Sequence, residues 1–160
     1  MNKIIKTYDF SKLKRNFKHL LKEEINVLGN HLNKAIQDNI DNSRDLNKSS
    51  FKRLSPVTKK LGGDKILERS GTMRKTKKIP ATDKKLEFHI EMAGKSSRSG
   101  NYYGAYHNEG YVNPPGSWFP GTVVPARKWF GVPVDFKKGG KEYDKAILNI
   151  KLRIRRAFKK

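Results

Sequence analysis

The side chains able to do chemistry in this chain are few and scattered. Its four histidines are His19, His31, His89 and His107, and there is no cysteine, which excludes disulfides and thiolate metal sites. No two histidines stand at metal-ligand spacing. Glu87, His89 and Glu91 alternate and would share one face of a strand, a set that could hold a metal but reads better as a solvated face. His107-Asn108-Glu109 has nuclease-like letters without the second acidic or histidine cluster that such a centre needs. Gly62-Gly63 and Gly139-Gly140 lack the strand before and helix after of a phosphate-binding loop, and no serine-nucleophile motif occurs. The chain is therefore expected not to be an enzyme and to need neither metal nor cofactor.

What the chain has in quantity is positive charge. It carries 36 Lys and Arg against 15 Asp and Glu, a formal net charge of +21. Residues 42–86 hold 14 basic and 4 acidic groups, hence +10, and residues 141–160 hold 8 and 2, hence +6. Such a balance calls for an anionic partner: nucleic acid, an acidic protein surface or an anionic membrane. Lys151, Arg153, Arg155, Arg156 and Lys159 would give one helix a cationic rim suited to phosphate or to acidic protein, with a merely solubilising face as the plain alternative. A membrane fits less well. The apolar side of that helix has no Trp and is needed for the core, and no apolar run approaches the roughly 20 residues of a span. Met1-Asn2-Lys3-Ile4-Ile5-Lys6 has charge but no apolar segment behind it, so a soluble, unexported protein is expected.

The elements that must position these residues can be read from periodicity. Leu13, Phe17, Leu20, Leu21, Leu28, Leu32, Ile36 and Ile40 recur at steps of three, four and seven and predict a helix over residues 11–41, with Ser11 as its N-cap. About 30 residues would span roughly 45 Å, so this helix should reach past the core. Residues 42–50 are polar and aperiodic and read as a loop. Short helical turns are expected from Ser55-Pro56 to Gly62-Gly63 and from Lys65 to Met73. Leu86, Phe88, Ile90 and Met92 alternate with Glu87, His89 and Glu91, which predicts a strand. Tyr102 to Tyr111 suits strand or short helix equally. Asn113-Pro114-Pro115-Gly116 and Pro120-Gly121 read as turns, with Thr122-Val123-Val124 β-prone between the second turn and Pro125. Tyr143, Ile147, Ile150, Ile154 and Phe158 mark a last amphipathic helix over 141–158.

The predicted fold is α+β: a long N-terminal helix, a small antiparallel β-sheet and a basic C-terminal helix. Length argues for a single domain over residues 1–160. It would comprise an N-terminal arm (1–10), the long helix (11–41), an α+β core (42–140) and the basic helix (141–160).

Three stretches also resemble a known family. Tyr103-Gly104-Ala105-Tyr106-His107-Asn108-Glu109-Gly110 is similar to the Y-A-x-x-H-x-x-G segment of the phage virion morphogenesis family, the Mu-like tail-completion proteins and their neck-protein relatives. Val124-Pro125-Ala126-Arg127-Lys128-Trp129-Phe130-Gly131 resembles that family's [IV]-P-A-R-P-F-L-G. Upstream, Leu54-Ser55-Pro56 with Thr58, then Ile66-Leu67 and Ser70-Gly71-Thr72-Met73-Arg74, resembles L-S-P-x-T … I-L-x-x-[ST]-G-x-L-R. Order and spacing agree over roughly residues 11 to 135. Gly104 stands where Ala is usual, Lys128 replaces the second Pro, and Trp129-Phe130 is bulkier than Phe-Leu.

The resemblance implies a non-catalytic virion subunit, assembled in the bacterial host cytoplasm. It would form a ring with copies of itself at the neck or the top of the tail. Its partners would be portal, neck or tail proteins and packaged DNA in the channel. A free nucleic-acid-binding protein using the same basic surface is the alternative. Under the resemblance, His107 beside Tyr103 and Tyr106 should sit in a packed, hydrogen-bonded corner, with Gly110 making a turn that a side chain would block. Arg127, between Pro125 and Trp129, suits an ion pair within the core or between subunits, a stacking contact, or exposure to a channel. The cationic rim, for which the sequence offers no internal partner, should face DNA or an acidic ring, with at least one arginine lying along the core.

Overall fold

The apolar residues spaced by three and four near the start of the chain do form one helix. In the computed structural model, which describes residues 10–53, 59, 75–92, 103–117 and 119–158, α1 runs Phe10–Asp41. It begins one residue ahead of Ser11, which therefore lies inside the first turn instead of at the cap. The turns expected within 55–73, Trp118, Lys159 and the side chains of Leu13, Tyr103 and Phe158 lie outside the described residues. At 1.5 Å per residue, the 32 residues of α1 extend about 48 Å. Only the C-terminal end of the apolar stripe is fully buried, at Ile36 and Ile40. Leu20, Leu21, Leu28 and Leu32 are half-buried, while residues 14–19 are all exposed, Phe17 included. The helix outruns its core at the N-terminal end, as its length predicts.

Two antiparallel ribbons follow. β1 (Thr76–Ile79) pairs with β2 (His89–Met92), Thr76 opposite Met92 and Ile79 opposite His89. The alternation expected along 86–92 is visible in burial: Leu86, Phe88, Ile90 and Met92 are half-buried, and Glu87, His89 and Glu91 are exposed. Only its last four residues enter the ladder. The segment that local signals left open is a helix, α2 (Tyr103–Glu109), followed by β3 (Tyr111–Val112) and β4 (Val123–Val124), which pair with each other. After a 3-10 turn at Val134–Phe136, α3 runs Lys141–Phe158. Among the described residues the β-structure is thus two separate two-stranded ribbons, and the fold is the α+β arrangement the sequence predicts.

Packing is organised by α1. Its apolar stripe joins Phe51 and Trp129 in the core, with Leu32, Ile90, Met92 and Phe130 packed around them. A polar stripe beside it docks β1 and the strand's continuation. Asn33 Oδ1 accepts from Thr76 Oγ1 (2.6 Å), Gln37 Nε2 donates to Thr76 Oγ1 (3.4 Å), and Asn30 Oδ1 accepts from Lys78 Nζ (3.1 Å). Asn26 Oδ1 accepts from Ala81 N (2.8 Å) and its Nδ2 donates to Ala81 O (3.2 Å). Between these stripes Phe88 lies over Gly29, where an added Cβ would fall 2.2 Å from the ring. α3 packs antiparallel to α1, placing Glu142 by His31 (3.6 Å) and Arg153 by Glu23 and Glu24. Tyr143, Ile147, Ile150 and Ile154 of α3 are half-buried, as their spacing requires.

Candidate functional site

The two downstream motif segments fold onto each other. α2 ends at Glu109, and Gly110 turns the chain with φ +78, its N–H donating to Tyr106 O (2.8 Å). A Cβ at Gly110 would stand 2.6 Å from Ala126 N, so both the backbone conformation and the close approach require glycine. Arg127 N then donates to His107 O (2.8 Å) and Phe130 N to Asn108 Oδ1 (3.0 Å). At the far end of α2, a Cβ on Gly104 would lie 2.9 Å from Trp129 Cζ2 and 2.7 Å from Met92 Sδ. The small residue at 104 and the large one at 129 fill one space between them. Loop 42–50 closes this corner: Leu46 N donates to Lys128 O (2.9 Å) and Val134 N to Leu46 O (3.3 Å). Asp45 Oδ1 tightens the same loop by accepting from Asn47 N and Ser49 N.

Around this seam the aromatic rings pack edge to face. His107 meets Tyr111 at 5.7 Å between centroids, Tyr111 meets Tyr106 at 5.8 Å, and Trp129 meets Phe130 at 5.5 Å. His107 sits in a packed corner, but its ring neighbour among the described residues is Tyr111 in place of the expected Tyr106, and its Nδ1 is buried without a partner; its main-chain carbonyl makes the bond instead. Burial, together with the nearby positive charge of Arg127, pulls the His107 pKa below the ordinary histidine value, so the neutral ring is favoured.

Arg127 is 6% exposed, which rules out the open, channel-facing placement. No carboxylate among the described residues pairs with it, so the core ion pair does not form there either. Its Nε and the Trp129 Nε1 are buried without partners. Burial lowers the guanidinium's pKa and raises that of Tyr111 beside it. Pro125 is half-buried on the approach to this seam, and Tyr103 begins α2. Chemically, the corner is a wall of rings around a buried cation.

The cationic rim of α3 divides in two. Lys151, Arg155 and Arg156 are exposed and make no ion pair with a described residue. Arg153 does have internal partners, contrary to the sequence reading. Its Nη1 donates to Glu23 Oε2 and its Nε to Glu24 Oε1, each at 2.9 Å, and Glu24 is 5% exposed. Arg153 is thus the arginine that lies along the core, and it ties α3 to α1. On the β1–β2 ribbon, Glu87 bonds His89 (3.0 Å) and Lys85 (3.2 Å), while Glu91 faces Lys77 across the strands. The Lys85 ammonium, with a smaller contribution from His89, holds the Glu87 carboxyl below its usual range. Among the described residues, no three His, Asp or Glu side chains gather where they could hold a metal ion, and no helix is long and apolar enough to cross a membrane.

Sequence reasoning missed several residues that matter here. Asn26, Asn30, Asn33 and Gln37 recur at steps of four, three and four, a polar stripe as regular as the apolar one. Leu46 is the lone apolar residue of an otherwise polar loop. Leu148 and Leu152 form an i, i+4 pair on the side of α3 away from its apolar stripe. No family model matches the chain, and no curated protein and no solved structure does so either.

Proposed function

We propose that the chain is a non-enzymatic structural subunit of a tailed-phage virion, a ring-forming tail-completion or neck protein at the head–tail junction. The observation that carries this reading is the seam itself. The segments resembling the family's Y-A-x-x-H-x-x-G and [IV]-P-A-R-P-F-L-G spend their distinctive residues on packing: Gly110 seats the Ala126 amide, Gly104 seats Trp129, and His107 O and Asn108 accept from the opposing strap. A motif used to build a rigid corner suits an assembly protein better than a catalyst.

Apolar surface left in water supports self-association. Val112 and Val123 are cross-strand partners and are 60% and 69% exposed, and Phe17 stands exposed on the outrunning part of α1. In a ring these would meet neighbouring copies. The further partners would be portal, neck or tail proteins and DNA in the channel, with the finished protein resident in the virion after assembly in the host cytoplasm. Native mass spectrometry and negative-stain imaging of the full chain, with labelling of virions, test this. A closed oligomer and labelled necks or tails are expected; a monomer at every concentration, with no copies in virions, refutes it. The exposed Lys151, Arg155 and Arg156 favour a second reading, a free nucleic-acid-binding protein. Tight, steeply salt-dependent binding of duplex DNA by a monomer would identify it.

A further inference from the structure

α3 presents two unlike sides. Tyr143, Ile147, Ile150 and Ile154 are half-buried, while the exposed residues other than Arg153 lie on the far side of the helix from them, Lys145 at the edge where α3 meets Glu24, Val27, Leu28 and His31 of α1. At the centre of that outer side stand Leu148 and Leu152, 56% and 40% exposed. One turn apart, they are separated by about 40° around the axis. Lys145 precedes Leu148 by three residues, and Arg155 and Arg156 follow Leu152 by three and four, positions that adjoin on a helix surface. Lys141 and Lys151 extend this border, and Asp144 is the acid on it.

We propose that the outer face of α3 docks an acidic amphipathic helix of a different protein, with Leu148 and Leu152 as apolar anchors and the surrounding lysines and arginines as its charge complement. A nucleic acid would satisfy the cations and leave both leucines in water, because a phosphodiester backbone has nothing apolar to cover them. A membrane surface wants a broad apolar face with interfacial aromatics, and the broad apolar face of α3 is already spent on α1. A second copy of the chain is a poor match, since it too carries a net charge of +21 and Glu23, Glu24, Asp83, Glu91, Asp135 and Glu142 already hold basic or histidine side chains of their own chain. Apposing two such α3 faces would also set cation against cation. What remains is a partner helix with leucine-like residues at i, i+4 spacing and carboxylates beside them, packed side by side on α3 as one helix packs on another. This goes beyond the ring reading, since it names a different partner chain and a surface that the ring reading does not use.

The test is fluorescence anisotropy with the full chain at about 0.15 M salt. The probe is a labelled synthetic helical peptide whose leucines at i, i+4 spacing are bordered by glutamates. The competitors are the same peptide with its leucines changed to glutamine, a short DNA duplex, and vesicles of phosphatidylglycerol and phosphatidylcholine. The leucine–glutamate peptide should bind, and L148Q/L152Q should weaken it by about tenfold or more, the loss expected of a central anchor pair. R155Q/R156Q should weaken it as well and flatten its salt dependence, while L148Q/L152Q leaves DNA binding unchanged. Circular dichroism should show the wild-type fold for both variants, since all four side chains are exposed. The proposal is overturned if the peptide does not bind, if L148Q/L152Q binds it within about twofold of wild type, or if the leucine-free peptide, the duplex or the vesicles displace it at equal or lower concentration.

Discussion

Replacing Gly104 by Ala in one background and Trp129 by Phe in another should produce two costs that do not add. The Cβ introduced at 104 would lie 2.9 Å from Trp129 Cζ2 and 2.7 Å from Met92 Sδ. The thioether can swing aside, but the indole is fully buried, so the ring has to shift. Overpacking of this kind costs about 1–3 kcal/mol. Alanine's better helix propensity returns at most about 1 kcal/mol, so G104A should lose roughly 0–2 kcal/mol. W129F removes part of a packed ring, a loss of about 1–2 kcal/mol. It also removes the unpartnered indole N–H, whose burial itself costs about 1–3 kcal/mol, so its net effect is small. In W129F the space beside Gly104 is open, and G104A should then stabilise by about 1 kcal/mol through propensity and filling. The double-mutant cycle should therefore show a favourable coupling of about 1–3 kcal/mol. Urea titrations of the four proteins at one concentration measure it, holding any self-association fixed. A coupling within about 0.5 kcal/mol of zero would refute the claim that the two residues share one space.

The remaining predictions rest on single contacts. G110A should lose at least about 2 kcal/mol in the same titration, because alanine must adopt φ +78 against the Ala126 amide. R153E should lose about 1–2 kcal/mol by setting a third carboxylate against Glu23 and Glu24, a figure discounted for the arginine's 45% exposure. R155E/R156E should stay within about 0.5 kcal/mol of wild type, so reversing all three arginines would damage the fold through Arg153 alone. The lowered pKa of His107 means that the unfolded chain binds more protons than the folded one as pH falls below about 6.5. Its contribution to stability is thus complete above that pH and is lost progressively below it, down to the folded-state pKa. Melting temperatures of wild type and H107Q between pH 7.5 and 5 should diverge, with the flatter slope in H107Q; parallel slopes would refute the assignment.

How much of this was legible in the sequence differs element by element. α1 and α3 were, because a stripe at helical spacing has one economical reading, and both helices end within a residue of the expected bounds. The strand at 86–92 was legible as a pattern of faces more than as a ladder: the apolar residues turn inward over its whole length, but hydrogen-bonded pairing needs a partner, and β1 reaches only His89–Met92. α2 was not legible, since its residues pull in opposite directions, Ala105 toward helix, Gly104 against it and the tyrosines toward strand, and its end is set by Gly110 turning against Ala126. The segments 103–110 and 124–131 stood out by their motifs, but neither their packing on each other nor their bonding was legible: nothing in the letters says that His107 contributes its carbonyl and not its ring. The cationic rim was read as one face because arginines look alike in sequence. Only the fold reveals that Glu23 and Glu24, some 130 residues earlier, claim one of them.

The polar stripe of α1 also sets a scale. From Asn26 to Gln37 the helix advances eleven residues, about 16.5 Å at its rise of 1.5 Å. From Thr76 to Ala81, the residues those side chains grip, an extended chain advances five residues, about 16.5 Å at 3.3 Å each. Two rulers with different graduations coincide at both ends. Sliding the strand by a single residue would misalign every mark at once and would turn Thr76 away from Asn33, since neighbouring strand residues face opposite ways. The helix therefore works as a vernier, accepting the ribbon in one position along its length, and it does so with uncharged amides that neither salt nor pH will loosen.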